Sequence, residues 1–345
     1  FKQKTAYEIG VRLVGSEMCI RDRPRNRYIN VSLLVVGTVA YDSVSAGTES
    51  RVDSLGGSAT YFSVAASFFT HVAVVAVVGQ DFHDDDRKYL LSKGVDISGI
   101  STAVGETFRW SGSYDPNNMN IRETLDTKLN VLADFTPVLS NSHKNSDYLF
   151  LANIDPLIQM NVLEQMVSRP RLVALDTMNF WIDDHIENLR ETVELVDVLF
   201  MDENEIKTFT GAASVIKAAK SVREMGPKVV VVKRGEHGVL LFNEGDTFAA
   251  PAFPLEKVKD PTGAGDCFAG GFMGYLSKSG DMSAEGFRRA TVVGSVMGSY
   301  AVENFGSERF TSLLSHDIDE RFRGISGMTY FTPLSNEDNL LYQNH

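Results

Sequence analysis

Only two cysteines occur in the 345 residues, Cys19 and Cys267. So few give neither a disulfide framework nor a paired metal-ligand spacing, and they suit a reducing cytosol, so a cytoplasmic protein is expected. No run approaches the roughly 20 apolar residues that a membrane-spanning helix needs, so no membrane partner is expected. Positive charge is scarce as well: 33 Lys and Arg stand against 45 Asp and Glu, a formal net charge of -12. Such a surface repels phosphates at long range, which argues against nucleic acid as a partner and requires any phosphate site to be local. Several catalytic signatures are missing. There is no Gly-x-x-x-x-Gly-Lys-Ser/Thr loop, no Gly-x-Gly-x-x-Gly after the first strand-like run, no Gly-x-Ser-x-Gly elbow, and no metalloprotease pair among the seven histidines.

What remains has the composition of an ordinary globular chain, with 43% apolar and 23% charged residues. The length allows one large α/β domain or a core carrying a smaller piece. Residues 1–27 differ in texture, with seven basic and three acidic residues and apolar pieces too short for a secretory signal. The string VGSEMCIRDR within them resembles translated sequencing adapter. Residues 1–27 are therefore expected to be a non-native or disordered leader and are left out of the fold reading.

The run YINVSLLVVG is β-branched and ends in Gly37, the pattern of a buried first strand. GGSATYFSVAASFF follows through a Gly-Gly turn, with Tyr61, Val64, Ala65 and Phe68 spaced for one helical face. HVAVVAVVGQDF is another buried strand, so the order strand, helix, strand predicts a parallel crossover unit. Residues 102–133 alternate Thr, Arg, Trp, Ser and Tyr across turn residues such as DPNN, which predicts antiparallel strands with one solvated face. With about 38–52 they are expected to form a small lid. Strand-like runs return in SDYLFLAN, RLVALDT, VDVLFMDENE and KVVVVKRGEHGVLLFN, with helical stretches near residues 156–167, 186–195 and 214–225. This alternation predicts a parallel sheet with helices on both faces and ligands at the carboxyl ends of the strands. The domain is expected over 28–325, with 326–345 a polar tail.

The stretch KVKDPTGAGDCFAGGFMGYL offers the chemistry. Pro261 blocks a helix at Asp260, while Gly263, Ala264 and Gly265 leave backbone N–H groups uncovered before an apolar, helix-like run from Cys267 to Leu276. A helix N-terminus without side chains presents unpaired donors and the positive end of the dipole, so it attracts an anion. Asp266 in its first turn is either a simple cap or a base toward a hydroxyl placed beside that anion. Cys267 reads as a small core residue, since no partner histidine is evident.

This segment resembles the C-terminal signature of the ribokinase-like (pfkB) family of carbohydrate and nucleoside kinases, in which threonine usually stands at the place of Pro261. The resemblance extends over about residues 30–325. It implies an α/β fold, a three-layer sandwich with a central mainly parallel sheet and a small β-sheet lid. It also implies that Asp266 is the catalytic base and that Gly263, Ala264 and Gly265 form the anion hole, with Thr262 on the nucleotide. GTVAYD is similar to the family's opening Gly-x-x-x-x-Asp, so Asp42 is expected to bind acceptor hydroxyls. GGSATYFSVAA resembles the N-terminal signature, which implies that Gly56 and Gly57 lie against the substrate. The usual asparagine of that signature is here Tyr61, so the sugar bound by ribokinase does not carry over. Tyr61 either stacks on a ligand ring or packs in the core.

VDVLFMDENEIKTFTG resembles the family's Asn-x-x-Glu region, with Asp202 in the Asn position and Glu205 as the acid. Both are expected to organise Mg2+ through water, the plainer reading being a solvated helix start. VVKRGEHGVLLF resembles the turn that flanks ATP, so Gly235 and Gly238 are expected beside the nucleotide and Arg234 on a phosphate. Residues 290–310 fall where the family packs around the adenine. The expected activity is ATP-dependent phosphorylation of a hydroxyl on a small sugar or nucleoside. The alternatives are a kinase for a cyclitol or sugar phosphate and a non-catalytic sensor on the same fold. In related kinases the lid often pairs two subunits, which admits a homodimer here.

Overall fold

The computed structural model describes residues 32–332. The expected leader with Cys19 and the chain beyond 332 lie outside these residues. The strands are β1 (Leu33–Val36), β2 (Ala40–Ala46), β3 (Glu49–Gly56), β4 (Val72–Val78), β5 (Asp96–Thr102), β6 (Arg109–Asp115), β7 (Asn118–Lys128), β8 (Tyr148–Leu151), β9 (Leu172–Asp176), β10 (Val198–Asp202), β11 (Val229–Lys233), β12 (Val239–Asn243) and β13 (Asp246–Ala250). Nine of them form one sheet in the order β13-β12-β11-β10-β9-β8-β1-β4-β5. From β11 to β5 every neighbouring pair is parallel, and β12 and β13 add an antiparallel edge.

A central parallel strand is covered on both faces, which is why β4 reads VAVVAVV and is buried at every position. Strand alternation then divides the side chains between two cores. Leu33 and Val35 face a cluster shared with Phe62, Phe272 and Val296, whereas Leu34 and Val36 face one shared with Val162, Leu189 and Val222. The first core lies under the helices Ser58–Ala66, Ala264–Ser279 and Ala284–Ala301, the second under Pro156–Gln165, Ile186–Glu194 and Val215–Met225. This is the expected three-layer sandwich. Phe62 stacks on Phe150 of β8 with ring centroids 4.0 Å apart, and Phe272 meets Phe200 of β10 edge-on at 5.2 Å. Aromatic contacts of this kind fix the two helices that flank the site to the middle of the sheet.

The other sheet, in the order β3-β2-β6-β7, comes from the stretches expected to form the lid. Its hairpins β2–β3 and β6–β7 are antiparallel, but β2 and β6 pair in parallel. The expectation of an antiparallel sheet is corrected to that extent: alternation reports a solvated face and carries no information on direction between segments far apart in the chain. The edge strand β5 and the helix Asp84–Ser92 were not foreseen, because DISGIST and DDDRKYLLS lack a long apolar run. The last helix, Ser315–Thr329, continues past the expected boundary at 325. Among the described residues no helix is long and apolar enough to cross a membrane.

Candidate active site

Residues 263–265 form the hub of the site. Gly263 is the N-cap of the helix Ala264–Ser279 and sits at φ +74, a left-handed backbone that favours glycine. A Cβ there would also run into the Tyr61 ring, so this position excludes a side chain twice over. No side chain caps the helix. The Ala264 N–H is taken by the Pro261 carbonyl at 3.1 Å, so within the expected trio Ala264 is partly spent. The N–H groups of Gly265 and Asp266, in the first helical turn, donate to no backbone carbonyl among the described residues. Asp260, buried and given no role of its own above, braces this turn: its carboxylate accepts from the N–H of Thr262 at 2.9 Å and of Gly306 at 3.1 Å.

On one side of the turn stands the Asp42 carboxylate, brought from the lid strand β2. Its Oδ2 accepts from the Tyr61 hydroxyl at 3.0 Å and from the Gly57 N–H at 3.4 Å. Both glycines of the Gly-Gly turn are required by this contact: a Cβ on Gly56 would strike Asp42, and Gly57 has φ +94 with the Thr38 carbonyl 2.5 Å from where its Cβ would be. Tyr61 is 2% exposed. Of the two readings of Tyr61, burial leaves packing, with its hydroxyl on Asp42 and its ring on Gly263. Burial pushes the Asp42 carboxyl up to about 7.

On the other side lies a cavity of about 740 Å3, lined by Lys233, Arg234, Gly235, Gly238, Ala264 and Gly265 among others. Small groups of the predicted 290–310 segment, Ser295, Gly298 and Ser299, form part of its wall. Gly235 and Gly238 carry φ +56 and +82 in the turn between β11 and β12, as their place in the motif requires. Arg234 lines the cavity, and its Nε donates at 2.7 Å to Glu203, a carboxylate that also receives Lys207 Nζ at 2.6 Å. Thr262, expected on the nucleotide, instead points its hydroxyl at Tyr114 Oη of lid strand β6, 3.1 Å away. The lid turn, residues 116–120, reaches this cavity too, and a Cβ on Gly235 would collide with the Asn120 side chain. That contact was not anticipated.

Two residues missed in the sequence complete the site. Asp176 ends β9, is 3% exposed, and receives Lys233 Nζ at 2.6 and 2.9 Å on its two oxygens. A charged residue at the carboxyl end of an otherwise apolar parallel strand was the available signal, since that end of the sheet binds ligands. Asp202 and Glu205 close a capping box at the start of the helix Glu203–Thr210, with Asp202 N–H on Glu205 at 2.7 Å and Glu205 N–H on Asp202 at 2.8 Å. The acids do start a helix, as the plainer reading expected, but Glu205 is half-buried there and not freely solvated. Burial first, and the Asp202 charge next, push Glu205 up to about 8. The charges of Asp176, Glu205 and Asp266 act on the Lys233 ammonium, and that of Asp202 on Glu205. Among the described residues no group of three or more His, Cys, Asp or Glu is placed to ligate a metal directly, so a hard divalent cation would be held here through water.

Asp266 itself is held up to about 8, by burial first and then by the Asp176 charge, with Lys233 pulling in the opposite direction. The Asp42 charge reaches it as well. A carboxyl so tuned, beside a bare helix N-terminus, can exchange a proton with a hydroxyl near neutral pH.

Residues 29–308 match the family described as pfkB family carbohydrate kinase. The chain is 30% identical over 263 residues to a cytidine kinase of Thermococcus kodakarensis, covering 72% of this chain and 89% of that protein. It is 28% identical over 296 residues to a nucleoside kinase of Methanothermobacter thermautotrophicus, covering 80% and 91%. Its fold superposes with a TM-score of 0.72 and 20% identity on an E. coli protein described as a ribokinase II, solved with ATP and Mg2+, covering 85% of this chain and 99% of that one.

Proposed function

The chain belongs to the pfkB family of carbohydrate kinases, phosphotransferases with an alcohol acceptor, and from that premise we propose that it transfers the terminal phosphoryl group of ATP to a hydroxyl of a nucleoside. The observation that carries the reading is the uncapped 263–265 turn with Asp266 beside it in the first helical turn and a cavity of about 740 Å3 on its open side. The triphosphate would lie in that cavity with its terminal phosphoryl against the free N–H groups. The acceptor would lie beside Asp42 on the lid sheet, where Trp110, paired with Asp42 across β2 and β6, offers aromatic surface to a base.

In the step itself Asp266 takes the proton of the acceptor hydroxyl as that oxygen bonds to the terminal phosphorus. The bond from this phosphorus to the bridging oxygen breaks, and its electron pair leaves with ADP. The donors of the turn meet charge on the transferred group. Asp42 holds and orients the acceptor, and lid strands closing over it keep water from competing as a nucleophile. Asp202 and Glu205 would hold Mg2+ through water, and when bound it supplies positive charge to the triphosphate. The cytidine kinase and nucleoside kinase relatives support a nucleoside as acceptor. A panel of nucleosides, sugars, cyclitols and sugar phosphates, read by ADP release from MgATP, tests it. Turnover is expected with a nucleoside; selective turnover with a cyclitol or sugar alone would overturn the acceptor class, and ligand binding without any ADP release would favour a sensor.

A further inference from the structure

Lys233 stands at the end of β11 and reaches over β10 to Asp176 at the end of β9, an order fixed by the sheet. Its Nζ lies 3.0 Å from the point where a Cβ on Gly265 would be, directly against the anion-binding turn. Only 19% of the side chain is exposed, and the residue lines the same cavity as Ala264 and Gly265. A buried lysine–carboxylate pair gains little net stability, because desolvating both charges offsets their attraction. Here the pair does more than neutralise itself: the ammonium has three donors, and the two Asp176 oxygens leave one for a further acceptor. Arg234, the other cation of this loop, directs its Nε to Glu203, which it shares with Lys207.

We propose that Lys233 is the cation that grips the terminal phosphoryl group of a bound nucleoside triphosphate, clamping it from the sheet side against the 263–265 turn. The inference rests on the kinase reading above. Asp176 pins the ammonium in place through both of its carboxylate oxygens, at 2.6 and 2.9 Å. A Cβ at Gly265 would press on the ammonium, which would have to yield by a few tenths of an ångström. The contact exists only while the terminal phosphoryl is present, so it discriminates between triphosphate and diphosphate.

Calorimetry of the full chain with MgADP and with a magnesium-loaded, non-hydrolysable ATP analogue tests this directly. Lys233→Met is expected to bind ADP within about threefold of the unaltered protein and to bind the analogue at least about tenfold more weakly, the scale of one charge-assisted contact. Lys233→Arg retains the positive charge needed among the surrounding carboxylates, so it serves where Lys233→Met fails to fold. The same selective loss is expected in it, smaller in size, because a longer planar head does not reproduce the geometry. Equal weakening of both ligands, or none, in the variant that folds would overturn the role of Lys233. Failure of the unaltered protein to bind either nucleotide would instead contradict the kinase reading.

Discussion

A carboxyl poised at about 8, as Asp266 is, is mostly protonated at neutral pH and cannot then accept a proton. The sign follows: a base with a raised value gains activity as pH rises through that value. With acceptor limiting, kcat/KM is expected to climb from pH 6 toward pH 8 and to level off above it, by stopped-flow or coupled ADP release. A profile flat across that window would remove Asp266 from the role of base. Tyr61 makes a second residue-scale case. Tyr61→Phe takes one donor from a buried carboxylate, so it should cost about 1 kcal/mol in denaturant unfolding and raise the KM for acceptor several-fold, with kcat little changed. Unchanged KM would mean that Asp42 does not touch the acceptor.

The helix Ala264–Ser279 works through its first turn, and that turn depends on a backbone that only glycine takes up easily. Gly263→Ala combines a left-handed φ, which costs roughly 1–2 kcal/mol, with an overlap on the Tyr61 ring. Thermal melting should fall, and turnover should fall more than the melting shift alone predicts, because the Gly265 and Asp266 N–H groups of the first helical turn move with it. A variant that melts lower yet turns over normally would separate the turn from the chemistry. The lid hairpin offers an element-scale test of another kind. Its 116–120 turn lines the same cavity as Lys233 and Gly265 and touches the Gly235 loop. Nucleotide alone is therefore expected to slow amide hydrogen exchange at 116–120. Protection that appears only with acceptor would show that the lid closes on the acceptor and ignores the nucleotide.

Across the whole molecule, the parallel core was legible because a strand covered on both faces must be apolar at every position, as β4 and β8 are. The 263–265 turn was legible because its glycines, its proline and Asp266 are neighbours in the chain. Lys233 and Asp176 were not, since they lie 57 residues apart and meet only through the strand order β11-β10-β9. The parallel pairing of β2 with β6 was hidden for the same reason: two hairpins from separate stretches choose their relative direction by tertiary packing. Tyr61 was ambiguous in sequence because an aromatic phenol serves a core or a ligand equally well, and only its burial between Asp42 and Gly263 decides. The measurement that bears most directly on the whole account is ADP release from MgATP with a nucleoside acceptor, run on the unaltered chain beside Asp266→Asn. Nucleoside-dependent turnover is expected, falling by a factor on the order of 10² or more in the variant while ATP binding by calorimetry stays close to normal. Comparable turnover in the two proteins would contradict it.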